Sequence, residues 1–457
     1  MKKTKICFAA SSGGHFEQIS MLRPLMSKYE SFVVTEHTEY KATIKDEKMY
    51  YVHQVNRKEM SFPFWMVVNR GRKKMKKVIV INPRGIKGDE EYLNGMVSAL
   101  YKRNDIDVSL YTNFYYEIPD EDIPYKCHRY FFKNSEKMVP STKRNAVRAA
   151  EYINQYLKLI NIIKKEKPDV VHIHWSVISK VDPIFFRKIK KYCGKLVYTA
   201  HNVLPHINSE KYIKSYGKIY DCADVIIVHG QSIYDEFTRL YPQYKKKVYI
   251  SRHGKKNTLK EKIDYTDAEI LKCEKFINKY DRMILSFGMI YYDKGMDRII
   301  RAWKGTADHK NCCMVIAGKT QPSYPELDEL DEYIKSQADI IFLNQYISNN
   351  LLNYFLKNAD LIVLPYRHAS MSGVMLTAAA EAIPVLCTNV GSLAEYIDDG
   401  CGWVIPNDDK AICENLQKIL NGETKDSLAQ MGKKFQQYVN KRYDWNTIVD
   451  EIVKDCY

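Results

Sequence analysis

The sequence predicts an α/β fold built on parallel sheets, and three observations predict it. An apolar strand, a glycine-containing turn and an amphipathic helix recur in that order; the order restarts at separate places along the chain; and 457 residues exceed what one ordinary core holds. The first start is a strand at Lys5–Ala10, a turn at Ser11–Gly14, a helix at His15–Met26 and a strand at Ser31–Thr35. The second is the run KKVIVINPRG from Lys76, leading to a helix at Tyr92–Lys102 and strands at Val108–Tyr111, Val170–His174, Lys195–Thr199, Val225–Val228 and Val248–Ile250. Between these strands a helix is expected over Ser141–Lys165, with Val147, Ala150, Ile153, Leu157 and Ile160 on one apolar face. A charged segment, Lys255–Asp281, leads to a third series of strands at Met283–Phe287, Met314–Ala317, Ile340–Phe342, Leu361–Leu364 and Val385–Thr388. Helices near Asp426–Val439 and Trp445–Val453 close the chain. The expected division is a partial βαβ unit with a basic linker at 1–74, one doubly wound domain at 75–262 and a second at 263–457.

Composition narrows the function class. With 45% hydrophobic and 27% charged residues and no long Pro, Gly or Ser tract, disordered and fibrous classes are excluded. A formal charge of +15 attracts anionic partners of any kind, whether phosphorylated substrates, nucleic acid or a bilayer. No zinc finger, RNP-like sequence or heptad repeat argues for nucleic acid. The 11 cysteines are scattered without paired metal-ligand spacing, which reads as reduced cytoplasmic thiols. The opening MKKTKICFAAS reads as a first strand rather than a signal peptide, because its apolar run is short and lacks a cleavage pattern. The nearest candidate for a spanning helix, Met60–Val68, falls well short of the ~18–20 apolar residues required, so any membrane contact is expected to be peripheral. The basic groups Arg187–Lys191 and Lys245–Lys247 are solvated faces or a footprint for anionic lipid. Tyr111–Tyr116 reads as packing.

In open parallel sheets, ligands bind beyond the carboxyl ends of the strands. The residues in such places are His172, His174 and Trp175; Thr199, His201 and Asn202; His253 and Gly254; and Gly288, followed by Lys294 and Gly295. His172 and His174 are expected on opposite strand faces, so that only one lines the cleft, and His174 is assigned to it. In Ser370–Pro384 (SMSGVMLTAAAEAIP), small residues open a helix directly after a strand and its loop. Free backbone N–H groups and the positive helix end would then face a diphosphate, with Lys294 as a point charge on the same phosphates. Those two parts would stabilise a nucleoside diphosphate as a leaving group. The bland alternatives are a backbone-bonded core histidine at 201 and an ordinary surface lysine at 294.

The order HIHW, TAHNVLPH, HG, FG-x5-KG, AG, LPY, SGV-x9-PV and VGSLAEYI-x4-GWVIP resembles glycosyltransferase family 4, the "group 1" transferases of the GT-B fold, over about 75–457. The resemblance implies two facing Rossmann-like domains, with the nucleotide sugar on the C-terminal one and the acceptor on the N-terminal one. It also implies transfer with retention, without metal or other cofactor. It places His201 near the transferred sugar, Lys294 and Gly288 at the phosphates, and Ser372, Gly373 and Val374 at the diphosphate-facing helix start. Gly391, Ser392 and Glu395 fall in the loop after the next strand, Gly88 in the first glycine turn across the cleft, and His174 with Asn202 on the acceptor side. Two departures stand out. Met289 occupies the position of a customary arginine, and Thr377 that of the ribose-holding carboxylate, for which Glu381 one turn later is the candidate substitute.

Residues 1–62 (KICFAASSGGHFEQISMLRPLMSKYESFVVTEHT, VHQVNRKE) resemble the start of the membrane-associated subunit of two-component UDP-sugar transferases, cut at about Pro63 and joined to a new start at Met75. Ser12, Gly13, Gly14 and His15 are therefore expected to form no working site. The expected activity is hexosyl transfer from a UDP- or GDP-sugar to a polyprenyl-diphosphate-linked glycan in surface polysaccharide assembly, at the anionic inner face of a membrane. Two rivals stay open: a nucleotide-sugar epimerase, and a catalytically impaired nucleotide-sugar-binding partner subunit.

Overall fold

A computed structural model describes residues 5–10, 18–19, 21–36, 48–52, 75–86, 88–205, 209–257, 262–306, 308–309, 311–321 and 324–457. The chain forms two compact units, Met1–Met75 and Lys76–Tyr457. In the smaller unit, strands β1 (Lys5–Ala10), β2 (Glu30–Glu36) and β3 (Lys48–Val52) make a parallel sheet in that order. Phe8, Ile19, Met26 and Val33 form its core. The sequence reading has no strand at β3. Ser12, Gly13, Gly14, His15 and Met60–Val68 lie outside the described residues.

The larger unit holds two parallel sheets. The first contains β4 (Lys76–Asn82), β5 (Ile106–Asn113), β6 (Lys126–Phe131), β7 (Val170–His174), β8 (Lys195–Thr199), β9 (Val225–Val228) and β10 (Val248–Ile250), in the order β10-β9-β8-β7-β4-β5-β6. The second contains β11 (Arg282–Phe287), β12 (Cys312–Ala317), β13 (Ile340–Leu343), β14 (Leu361–Leu364), β15 (Val385–Thr388) and β16 (Gly402–Ile405), in the order β13-β12-β11-β14-β15-β16. In each sheet the order reverses beside its first strand, between β4 and β7 and between β11 and β14, which leaves a crevice at the carboxyl ends. Central strands bury both faces, so β4 carries Val78, Ile79, Val80 and Ile81 in succession, all fully buried.

The helix predicted over Ser141–Lys165 spans Thr142–Glu166, capped by the Ser141 hydroxyl accepting from Arg144 N–H at 3.1 Å. Its buried stripe differs from the expected face. Tyr152, Tyr156, Leu159, Ile160 and Ile163 are inside, while Ile153 and Leu157 are exposed. The two tyrosines win the core because their rings pack against Phe131, Phe132 and Phe185 and the Tyr152 hydroxyl donates to buried Asp182 at 2.8 Å.

The Trp445–Asp455 helix, read from sequence as part of the C-terminal domain, crosses back and packs on the N-terminal half. A Cβ at Gly95 or Gly254 would stand 2.2 or 2.3 Å from the Trp445 ring, so glycine lets the indole seat there. The outgoing and returning crossings are bonded side by side. Lys255 N–H donates to Tyr443 O at 2.8 Å, Trp445 Nε1–H donates to Lys255 O at 3.0 Å, and Lys255 pairs with Asp444 at 3.2 Å.

Candidate active site

The carboxyl ends of the switch-point strands open into one cavity of about 1060 Å³. Gly288, Met289 and Lys294 line it after β11; Tyr366, Ser372, Gly373, Val374 and Thr377 line it after β14. On the opposing side stand Arg84, Gly88, Trp175, His201, Asn202 and Lys256. The Lys294 ammonium lies 3.8 Å from the Tyr366 ring centroid, and burial lowers its pKa to about 8 although Asp293 opposes the shift. Gly295, at φ 62°, lets the lysine turn close on β14: a Cβ there would stand 2.1 Å from Pro365 O.

The helix after β14 is Gly373–Ala380, with Ser372 as N-cap. The Ser372 hydroxyl makes no capping bond and lies 3.2 Å from the Tyr366 hydroxyl, so the amides of the first turn are left for a ligand. The Thr377 hydroxyl donates to Gly373 O at 3.0 Å. Glu381 does not stand in for a ribose-holding carboxylate. It ends the helix and lines a separate pocket with Asp360, Pro384 and Lys425, about 12 Å from Gly373 at the helical rise.

The loop after β15 turns away from the main cavity. Gly391, at φ 54°, packs where a Cβ would meet Ala369 O at 1.7 Å, and it lines a second pocket with Asn202, Arg367 and Asn407. Ser392 is wholly buried, and its amide donates to Ser370 O at 3.0 Å. The Glu395 carboxylate accepts from Gln231 N–H at 2.9 Å, at the start of the Gln231–Leu240 helix. Glu395 therefore clasps the two halves, and Ser392 packs close on Gly230 of the other half; neither is a wall of the main cavity. Asn202 is part of the same closure: its side-chain oxygen accepts from the Ser370 hydroxyl at 2.6 Å.

Behind the N-terminal wall, and including His201 of it, histidines cluster around the Tyr92 ring, whose centroid lies 4.6 to 5.7 Å from those of His253, His201, His229 and His174. His172 and His174 share one strand face, with ring centroids 4.3 Å apart, because residues two apart on a strand point the same way. His174 is fully buried and stands behind His201 rather than lining the cavity, which corrects its acceptor-side assignment.

One tautomer pattern satisfies the chain. His229 Nδ1–H donates to Ser251 O (2.9 Å), His201 Nδ1–H to His229 Nε2 (3.2 Å), and His174 Nδ1–H to His201 Nε2 (3.2 Å). His174 Nε2 is left without a partner among the described residues. Burial holds His172 at about 3 and His229 at about 4, and lowers His174, His201 and His253 well below the usual value, so all five are neutral at pH 7. Both His201 nitrogens are engaged within the wall; a ligand hydroxyl bonds this ring only by displacing a neighbouring histidine.

Trp175 adopts φ 65°, a conformation costly for a bulky residue, and stacks on His201 at 4.6 Å with Arg84 4.2 Å from its ring centroid. The loop that follows is held by the Asp182 carboxylate, which accepts from Val177 and Ile178 N–H at 3.0 Å. Arg84, Tyr92, His229 and Lys256 were not singled out by sequence. For Lys256 a signal existed, since it follows the His253–Gly254 pair at the end of β10, but it lies in a run read as a charged linker.

Comparison with known proteins agrees with this geometry. The family described as Glycosyltransferase Family 4 matches residues 86–254, and Glycosyl transferases group 1 matches 281–422. An uncharacterized glycosyltransferase of Methanocaldococcus jannaschii is 25% identical over 314 residues, covering 65% of this chain and 77% of the relative. The capsular polysaccharide biosynthesis glycosyltransferase CapM of Staphylococcus aureus is 24% identical over 297 residues, covering 62% and 75%. The crystal structure of Anabaena HepE in complex with UDP and glucose superposes with a TM-score of 0.59 at 15% identity, covering 83% of this chain and 98% of that one. That last likeness speaks for the two-domain GT-B fold.

Proposed function

Since the chain belongs to the family 4, group 1 glycosyltransferases, enzymes that use nucleotide-sugar donors, we propose that it moves a hexose from a UDP- or GDP-sugar to a hydroxyl of a polyprenyl-diphosphate-linked glycan in capsule or related surface polysaccharide assembly. Transfer proceeds with retention and without metal. Breaking the glycosidic bond puts negative charge on the departing diphosphate, and Lys294 with the amides of Gly373 and Val374 stabilises it. The leaving phosphate oxygen accepts the acceptor's proton on the same face. The neutral wall at His201 and Trp175 bounds the hexose, and closure of the halves excludes water that would hydrolyse the donor.

The lipid-linked acceptor is met peripherally, with basic groups such as Lys245–Lys247 drawn to anionic lipid; no helix among the described residues is long and apolar enough to cross a membrane. The observation that carries the reading is the placement of the Lys294 ammonium and an uncapped helix start in one cavity, at the switch points of both sheets. The test is release of nucleoside diphosphate from a panel of sugar nucleotides, with membrane lipid extract and with or without EDTA. Release from one UDP- or GDP-hexose that depends on lipid and ignores EDTA is expected; strict Mn²⁺ dependence would sink the metal-free mechanism.

A further inference from the structure

A departing diphosphate is an accumulating negative charge, and the turn after β11 meets it with Lys294 alone, since Met289 there is apolar and about half exposed. A second cation reaches the same cavity from elsewhere. Lys256 leaves β10 in the crossing between the halves and lines the cavity with Gly288, Lys294, Ser372 and Gly373. Its ammonium stands 3.8 Å from where a Cβ on Gly373 would be, over the first turn of the Gly373–Ala380 helix. It is held by the Glu91 carboxylate at 2.7 Å, and the two side chains keep only 19% and 36% of their exposure. Glu91 lies in the first turn of the Asp89–Tyr101 helix, just after Gly88.

We infer that Lys256 is the second cation of the diphosphate subsite, standing in for a charge absent at Met289 and parked on Glu91 until the diphosphate enters. The inference rests on the donor reading above. An amine paired with a carboxylate is already desolvated and oriented, so exchanging one anionic partner for another costs less than drawing a hydrated lysine out of solvent. Before binding, the pair adds no net charge to the cavity. Once a phosphate oxygen takes the amine, Lys256 and Lys294 approach it from different strands, each through a charge-assisted bond.

The alternative is a purely structural ion pair between the crossing and the helix. The two are separated by titrating UDP, UMP, GDP and GMP calorimetrically into the full chain and its variants. Lys256→Ala is expected to weaken the diphosphate of the preferred base about tenfold to a hundredfold while leaving its monophosphate within about twofold. Adding Met289→Arg to Lys256→Ala restores most of that loss, which a structural pair does not predict. Glu91→Gln, which frees the amine, leaves diphosphate affinity at or above that of the unaltered protein. The unchanged monophosphate serves as the folding control, and Lys256→Gln is the milder variant if alanine unfolds the chain. A wild-type ratio of diphosphate to monophosphate affinity in Lys256→Ala overturns this inference alone. Failure of the unaltered protein to bind either diphosphate overturns the donor reading and this inference with it.

Discussion

Across the cavity of the larger unit, the C-terminal wall offers an ammonium group, an uncapped helix start and glycine turns, whereas the N-terminal wall sets Arg84 and Lys256 beside the neutral rings of His201 and Trp175, with His174, His229 and His253 packed behind them around Tyr92. Burial disfavours the charged form of Lys294 and of the histidines alike, but with different outcomes on the two walls at pH 7. On the first it lowers Lys294 only to about 8, so the amine keeps most of its charge at pH 7. On the second it holds the histidines neutral, leaving rings that bond through one chain of tautomers. On the proposed reading the diphosphate lies at the helix start between Lys294 and Lys256, and the uncharged sugar lies against the neutral rings of His201 and Trp175.

The largest expected effect that can break this contrast is at Lys294. Lys294→Ala should lower nucleoside diphosphate release about 10²- to 10³-fold while the thermal midpoint holds; activity near wild type would remove the charged wall from the mechanism. Next is the chain of rings. His229→Ala leaves the His201 Nδ1–H without its acceptor, and urea denaturation should show a loss of about 1–3 kcal/mol.

The contrast also has a pH signature. Lys294 is charged below about 8 and neutral above it, and a bound diphosphate raises its pKa. Diphosphate affinity should therefore fall as pH rises past 8, by up to about tenfold per unit, with proton uptake in calorimetry. Between pH 5.5 and 7 the histidines contribute no change, since His172 and His229 titrate at about 3 and about 4. A histidine-dependent change in that window would contradict the neutral wall. The smallest effect is at the clasp: Glu395→Ala should cost about 1 kcal/mol through the lost cap on Gln231–Leu240, read as a lowered thermal midpoint.

The sequence carried most of the architecture because central parallel strands are buried on both faces. β7, β8, β9, β14 and β15 have the boundaries read from their apolar runs, as does β10, a short edge strand. Strands at sheet edges, β3, β6 and β16, were missed. β6 reads Lys-Cys-His-Arg-Tyr-Phe, half-wet and without an apolar run, and β16 is four residues closed by one neighbour. In the site, the rule that ligands sit beyond strand ends reached His201, Gly288, Lys294 and the helix start at Ser372, Gly373 and Val374, and the family resemblance added Gly88 and Thr377; all of these line the cavity. Both failed where direction mattered. Glu381 lies at the far end of a short helix, His174 is one layer behind the wall, and Gly391, Ser392 and Glu395 sit in a loop that turns toward the other half. Such orientations depend on tertiary packing, which spacing alone does not encode.

The paired crossings at Lys255 and Tyr443–Trp445 bear on how the molecule works. Two lengths of backbone laced together behave as the spine of a book: the halves can swing about it, but sliding past one another would tear both lengths at once. Points beside a spine travel least. Lys256 is one residue from that spine, so a swing of the halves about it would change its distance to Gly373 least.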